Sequence, residues 1–262
     1  MKDDLVIEMR GVSKRFGGVH ALERVDFRLC KDEIVGLIGD NGAGKSTLIK
    51  ILAGIHRPDE GEILFEGRRV EIRNPKEAKL LGIETVYQEL ALVDNLDVPS
   101  NVFLGREPTV RIPWLKIIDK RRMEEQAHQI LERLRIKIDS MHSPVVNLSG
   151  GQRQAVAISR ALYTEPKVAI MDEPTAALAV KEVGKVLDLI RRLKEGGVSV
   201  IFISHTLQEI FSVSDRIVIL RKGRKVGDLP VGELTINEAV KLMVGGEEST
   251  SEAEERVPLE EE

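Results

Sequence analysis

A chain of 262 residues, 42% of them hydrophobic, can bury a substantial core unaided, and its single cysteine, Cys30, excludes an intramolecular disulfide. A formal net charge of -4 argues against the broad basic footprint of a nucleic-acid-binding domain. No apolar run approaches the roughly 18 residues that cross a bilayer, and charges stud the N-terminal stretch, so a soluble, cytoplasmic chain without a secretion signal is expected.

Residues 5–9 and 21–29 bracket the polar segment SKRFGGVH and predict two strands of a small antiparallel sheet. Phe16, inside that segment, has two readings: an aromatic that stacks on a purine base, or ordinary core. Residues 34–54, IVGLIGDNGAGKSTLIKILAG, pass from an apolar strand through a glycine-rich loop into a helical pattern. Gly39, Gly44, Lys45 and Ser46 fit G-x-x-x-x-G-K-[ST], and Gly42 removes another Cβ from the approach to a polyphosphate. Inward N–H groups, the positive end of the helix and the Lys45 ammonium would converge on one anion. The Ser46 hydroxyl would be available to Mg2+, with Thr47 nearby.

The turn signal PDEG at 58–61 leads into EILFEG and RRVEI, a hairpin returning to the first sheet, and Pro75 opens a short helix. Residues 83–87 read as a buried strand ending at Gln88, a place where ligand contacts are favoured in open α/β sheets. From there Gln88 can reach a metal, a water or a γ-phosphate. Between 90 and 137 the alternation of strand and crossover is expected to stop. Residues 119–138 place Met123, Ala127, Ile130, Leu131 and Leu134 on one helical face, inside what reads as an inserted helical lobe.

Residues 147–163, NLSGGQRQAVAISRALY, leave a second helix N-terminus open to an anion, with Ser149 either its N-cap or a donor to phosphate. One phosphate loop needs no second such end, unless that end serves a nucleotide held by another subunit. Residues 167–174, KVAIMDEP, form an apolar strand that delivers two adjacent carboxylates before Pro174 stops it. Asp172 is the candidate to orient Mg2+, and Glu173 the candidate general base for the attacking water. An amphipathic helix over 180–193 precedes a buried strand over 198–203, so His205 emerges on the same edge as Gln88, Asp172 and Glu173, where it can bond a γ-phosphate. Arg221, Lys222, Arg224 and Lys225 surround Gly223 as a solvated hairpin tip, and residues 247–262 form a Glu-rich tail expected to be disordered.

With these motifs in this order, the sequence resembles the ATP-binding subunit of ABC transporters over residues 5 to about 245. The resemblance rests on GDNGAGKST as Walker A, LSGGQ at 148–152 as the signature, VAIMDEP as Walker B and ISH as the switch histidine. It implies an α/β fold: a P-loop NTPase core with an N-terminal antiparallel β subdomain and an inserted helical subdomain at about 90–163, all within one ATPase domain over 1–246. It makes Phe16 the adenine-stacking residue, and Gly39, Asp40, Asn41, Gly42, Ala43, Gly44, Lys45, Ser46 and Thr47 the triphosphate loop. Gln88 becomes a catalytic contact to the metal and to the membrane subunit, Glu173 the catalytic carboxylate and His205 the γ-phosphate sensor. The cofactors implied are ATP and Mg2+. Two cassettes are implied to pair head to tail, Ser149, Gly150, Gly151 and Gln152 of one closing over the ATP of the other, which is a second copy or a different cassette.

Within that family, SKRFGGVHAL, IETVYQELALVDNLDVPSNVFLGREP and EPTAAL are similar to importers of monosaccharides such as ribose, xylose, galactose or fructose. This similarity implies integral-membrane permease subunits, a periplasmic or extracellular sugar-binding protein acting indirectly, a place on the cytoplasmic face of the membrane, and no nucleic-acid partner. Two departures stand out. Such importers often fuse two cassettes, whereas one set of motifs is found here, and Ala179 occupies the position where many relatives carry the D-loop aspartate. The alternatives are import of a non-sugar solute, a cassette ATPase acting on ribosomes or DNA, and a pure binding module. The ribosome or DNA reading calls for paired cassettes with a charged linker, or a long coiled coil, neither of which occurs between Ser46 and Ser149. A binding module calls for a dead site, but Glu173 and His205 are both in place.

Overall fold

The computed structural model describes residues 4–112, 114–176 and 178–245; the acidic tail at 247–262 lies outside the described residues. Alternation of apolar and polar side chains builds the first layer. β1 (Leu5–Phe16) and β2 (Val19–Cys30) form a hairpin that turns at Gly17 and Gly18, longer than the two strands expected because the polar SKRF and VH pair across it. β3 (Ile34–Gly39) then feeds the glycine-rich loop and α1 (Lys45–Leu52), and β4 (Glu60–Phe65) and β5 (Arg68–Val70) return to the hairpin. The resulting antiparallel sheet has the order β2-β1-β4-β5.

α2 (Pro75–Leu81) is capped by the Asn74 side chain and precedes β6 (Ile83–Val86). The inserted segment comprises α3 (Val98–Val102), β7 (Thr109–Ile112), β8 (Leu115–Ile118) and α4 (Lys120–Arg133), and α5 (Gly150–Leu162) leads back to the sheet. The expected helix over 119–138 is shorter in the structure, with Asp119 accepting from the Arg122 N–H as its N-cap and Leu134 as its C-cap. The strand-and-crossover alternation does stop here, but the lobe also contains the antiparallel β7–β8 hairpin, which the sequence pattern does not predict. Its strands are only four residues long, and β8 is exposed on both faces, so neither stands out as a buried pattern.

β9 (Val168–Asp172), α6 (Val180–Glu195), β10 (Ser199–Ile203), α7 (Leu207–Val213), β11 (Arg216–Arg221), β12 (Arg224–Pro230) and α8 (Ile236–Val244) complete the chain. The second sheet has the order β12-β11-β3-β10-β9-β6, and only β12 runs antiparallel to its neighbour. β3 and β10 are apolar and buried on both faces, as parallel strands covered on each side must be. One face packs with α1 against Phe27, Leu29 and Ile63 of the antiparallel sheet; the other packs against Ile158 of α5, Leu189 and Ile190 of α6 and Ile210 of α7. The lobe has its own cluster, Val98, Val102, Phe103, Met123, Ala127, Leu131 and Val145, and joins it to the main body through Val156 of α5. Among the described residues no helix is long and apolar enough to cross a membrane.

At the end of the sheet remote from the glycine-rich loop, Arg216 ties three strands together. Its guanidinium donates to Glu33 at 2.7 Å, to the Arg28 carbonyl at 2.8 Å and to Asp228. Burial opposes its charge, but the two carboxylates outweigh that and raise its pKa further. The basic cluster at 221–225 is the expected hairpin tip. Among the described residues three of its four cations are engaged, Arg221 with the Leu242 carbonyl, Arg224 with Glu23 and Lys225 with Asp228.

Candidate active site

Parallel register decides which residues meet. Gly36 pairs with Phe202, Ile203 with Asp172 and Val86 with Met171, so Gly39, His205, Glu173 and Gln88 all leave the sheet at its C-terminal edge. Ligands bind at this edge in open α/β sheets.

The loop after β3 closes tightly, with the Ala43 N–H donating to the Asp40 carbonyl at 3.0 Å. Gly44 has φ 106°, and a Cβ there would come within 2.6 Å of the Ala21 carbonyl, so no other residue fits. α1 has neither a side-chain cap nor an acidic residue in its first turn, which leaves its first N–H groups for an anion. Lys45 Nζ is buried and folds back to donate to the carbonyls of Gly39 at 2.6 Å and Asp40 at 3.1 Å. Burial lowers its pKa, opposed by the carboxylates of Glu173, Asp40 and Asp172. A narrow backbone cradle, an uncapped helix end and a buried cation fit a polyphosphate. Asp40, Asn41 and Ser46 are exposed, Thr47 is half-buried and Ala43 is buried.

Asp172 ends β9, and its pKa is raised by burial first and by the charge of Glu173 second. Together with Ser46 it offers hard oxygen donors. Among the described residues no three His, Cys, Asp or Glu side chains form a self-contained cage. That donor set suits Mg2+, which takes one or two protein oxygens and completes its shell with phosphate and water. Glu173 has φ 52°, a left-handed conformation uncommon outside glycine, and its N–H donates to the Ile203 carbonyl at 3.0 Å. This turn brings Glu173 Oε1 to 2.6 Å from Nε2 of His205.

Three residues that the sequence did not single out for function hold this pair in place. Glu209 Oε2, on α7, accepts from Thr175 Oγ1 at 2.6 Å and from Ser204 Oγ at 2.7 Å, while the Thr206 N–H donates to Ser204 Oγ at 3.0 Å. One carboxylate thus fastens both the segment leaving Glu173 and the segment entering His205. The available signal was local: a hydroxyl directly before His205 and a carboxylate at the start of the next helix.

Two expected residues lie outside this cluster of contacts. Gln88 is exposed and makes no side-chain hydrogen bond among the described residues; Tyr87, Leu90, Glu84, Arg106 and Arg160 line a cleft of about 260 Å3 beside it. Phe16 is 44% exposed, which removes the core reading, and its ring meets His56 edge to face with centroids 5.0 Å apart.

The second helix end is closed rather than open. Ser149 caps α5 in a capping box, its Oγ accepting from the Gln152 N–H at 3.3 Å while Gln152 Oε1 accepts from the Ser149 N–H at 3.0 Å. Glu182, which the sequence did not suggest, sits against the same turn. The Ser149 hydroxyl and then the Gly151 N–H hold its carboxyl below the usual range, and a Cβ on Gly151 would lie 3.1 Å from the Glu182 side chain. Ser149, Gly151, Gln152 and Glu182 line a cavity of about 430 Å3 that includes no residue of the phosphate loop. The cavity beside the serine-glycine end is therefore not a continuation of the phosphate loop.

The family model described as ABC transporter matches residues 22–176. The chain is 46% identical over 238 residues to the xylose/arabinose import ATP-binding protein XylG of Sulfolobus acidocaldarius, covering 91% of this chain and 93% of that one. It is 49% identical over 240 residues to the ribose import ATP-binding protein RbsA 1 of Rubrobacter xylanophilus, covering 92% of this chain but 47% of that one, so it spans about half that relative's length. Among solved structures, it is similar to the ADP conformation of an ATP-binding cassette of an ABC transporter, with a TM-score of 0.80 at 26% identity, covering 92% and 99% of the two chains. It is also similar to the dimeric structure of a bacterial ABC transporter cassette, with a TM-score of 0.71 at 25% identity, covering 86% and 98%.

Proposed function

Because the chain belongs to the ABC transporter family, we propose that it is an ATP-hydrolysing subunit that powers sugar import through a separate membrane permease. The observation that carries this reading is the single edge shared by the Lys45 loop, Asp172, Glu173 and His205, together with relatives named for xylose, arabinose and ribose import. A polyphosphate seated over Gly39–Thr47 would take the place of the two carbonyls as the partner of Lys45. Mg2+ held by Ser46 and Asp172, with Gln88 approaching, would neutralise developing charge on the transferred phosphate.

Glu173 orients the attacking water and accepts its proton. His205 is released from Glu173 as a γ-phosphate arrives and donates to that phosphate instead. Phe16 offers an exposed aromatic face to the base. Residues 1–246 act as one ATPase unit with the lobe at about 90–163 as its movable part, and the cleft beside Gln88 receives the permease. The cavity beside Ser149–Gln152 includes no phosphate-loop residue, which supports a serine-glycine end that serves the nucleotide of a partner cassette, a second copy or a different one. Entry of ATP there requires Glu182 to withdraw.

Two measurements test the proposal together. Lys45→Ala should weaken ATP binding by on the order of tenfold or more, and deleting the chain from its host should abolish uptake of at least one of xylose, arabinose, ribose and fructose. Unchanged uptake of all four would contradict the transport reading.

A further inference from the structure

Val110, Leu115, Ile117 and Ile118 of the β7–β8 hairpin are exposed. Val110 pairs with Ile117, and Leu115 lies two residues from Ile117, so these three share one face. They are 48%, 44% and 63% exposed, and Trp114 at the turn is 98% exposed. A two-stranded hairpin is marginal in water on its own, so an uncovered apolar face with a tryptophan at its tip calls for a second surface.

The charges around the hairpin identify that surface. From 109 to 122 the sequence carries Arg111, Lys116, Lys120, Arg121 and Arg122 against Asp119 alone, in a chain whose net charge is -4. Lys116 lies on the hairpin face opposite Leu115, and Lys120, Arg121 and Arg122 are exposed on the first turn of α4. Arg121 pairs with Glu125, whereas Lys116, Lys120 and Arg122 form no ion pair among the described residues. A tryptophan tip, an aliphatic face and a basic fringe match an anionic lipid interface, where indole rings settle at headgroup level and cations meet phosphates. The base of the hairpin is fixed. Arg106 donates to the Arg160 carbonyl at 3.0 Å and to Glu84 of β6 at 3.4 Å, which ties it to the strand that delivers Gln88.

We propose that the β7–β8 hairpin seats on the anionic membrane surface through Trp114 and Leu115. Trp114 and Leu115 enter the boundary between headgroups and acyl chains, and Lys116, Lys120 and Arg122 meet lipid phosphates. The hairpin thereby attaches the cassette to the bilayer independently of its permease.

Trp114 is the chain's single tryptophan, so its fluorescence reports on the hairpin alone. With the full chain, vesicles of equal parts phosphatidylglycerol and phosphatidylcholine should shift its emission to the blue and carry the protein in flotation. Pure phosphatidylcholine should do neither, and added salt should reverse both effects. Lys116→Ala should weaken vesicle binding by roughly fivefold. Leu115→Asp should abolish it while leaving ATP turnover in solution unchanged, which also establishes that this variant folds. Three results would overturn the proposal. They are no shift on anionic vesicles, a shift that grows with protein concentration without lipid and so identifies a second copy as the cover, and a shift confined to vesicles containing the permease. No binding readout depends on hydrolysis, so failure here would leave the proposed function standing.

Discussion

Nε2 of His205 lies 2.6 Å from Oε1 of Glu173, so the two residues proposed to act on the γ-phosphate and the attacking water are in direct contact with each other. Glu173→Gln removes the base but keeps the shape. Steady-state turnover should fall by about 100-fold or more, while fluorescent ATP analogues should bind as they do to the wild-type chain. Equal turnover in the two proteins would remove Glu173 from the mechanism.

Glu209 acts on the same pair from behind, through Thr175 and Ser204. Glu209→Ala leaves both hydroxyls without their acceptor and should cost about 1–3 kcal/mol in stability, read as a lower Tm. Turnover should fall with nucleotide affinity nearly unchanged, because the hydrogen bonds of the Glu209 carboxylate among the described residues go to Thr175 and Ser204 rather than to the phosphate loop. Glu209→Gln, which keeps an acceptor oxygen, should recover much of both losses.

The layout of the candidate site was legible in the sequence wherever a motif is contiguous. The phosphate loop, the paired carboxylates after an apolar strand and the histidine at a strand end each fold within a few residues, and strand register then places them on one edge. What the sequence concealed depends on contacts between distant segments. Glu209 reaches Thr175 across 34 residues, and Glu182 reaches back to the α5 turn begun at Ser149. The β7–β8 hairpin escaped for another reason: buried periodicity is the signal for strands, and Val110, Leu115, Ile117 and Ile118 lie in solvent.

Ala179 is the N-cap residue of α6 but has no side-chain acceptor to offer the first turn. Ala179→Asp supplies one, along with a negative charge at the positive end of the helix dipole. The nucleotide-free chain should gain about 1 kcal/mol, measured as a rise in Tm. A fall in Tm would show that the loop before α6 cannot accommodate a cap.

Acid should loosen the sheet at Arg216. Burial alone would raise the pKa of Asp228, but hydrogen bonds from Lys225 and Arg216 outweigh it and hold the pKa below the ordinary 3.8. A carboxyl depressed in the folded state contributes stability that is complete above its unfolded pKa and is lost as pH falls through the folded value. Tm should therefore respond little to this pair near neutrality and decline below about pH 4. Asp228→Asn should lower Tm at neutral pH and flatten that acid limb. An unchanged acid limb would assign the loss to other carboxylates.

Dimer formation puts the central claim to its most direct test, since the proposal has the phosphate loop of one cassette and the serine-glycine helix end of another meet on one nucleotide. Sedimentation velocity on Glu173→Gln saturated with Mg-ATP, alone and then with its permease in detergent, should show two cassettes joined in at least one setting, and Ser149→Arg should abolish the pairing. A hydrolysis-deficient protein that binds Mg-ATP yet remains a single cassette in both settings would contradict the account.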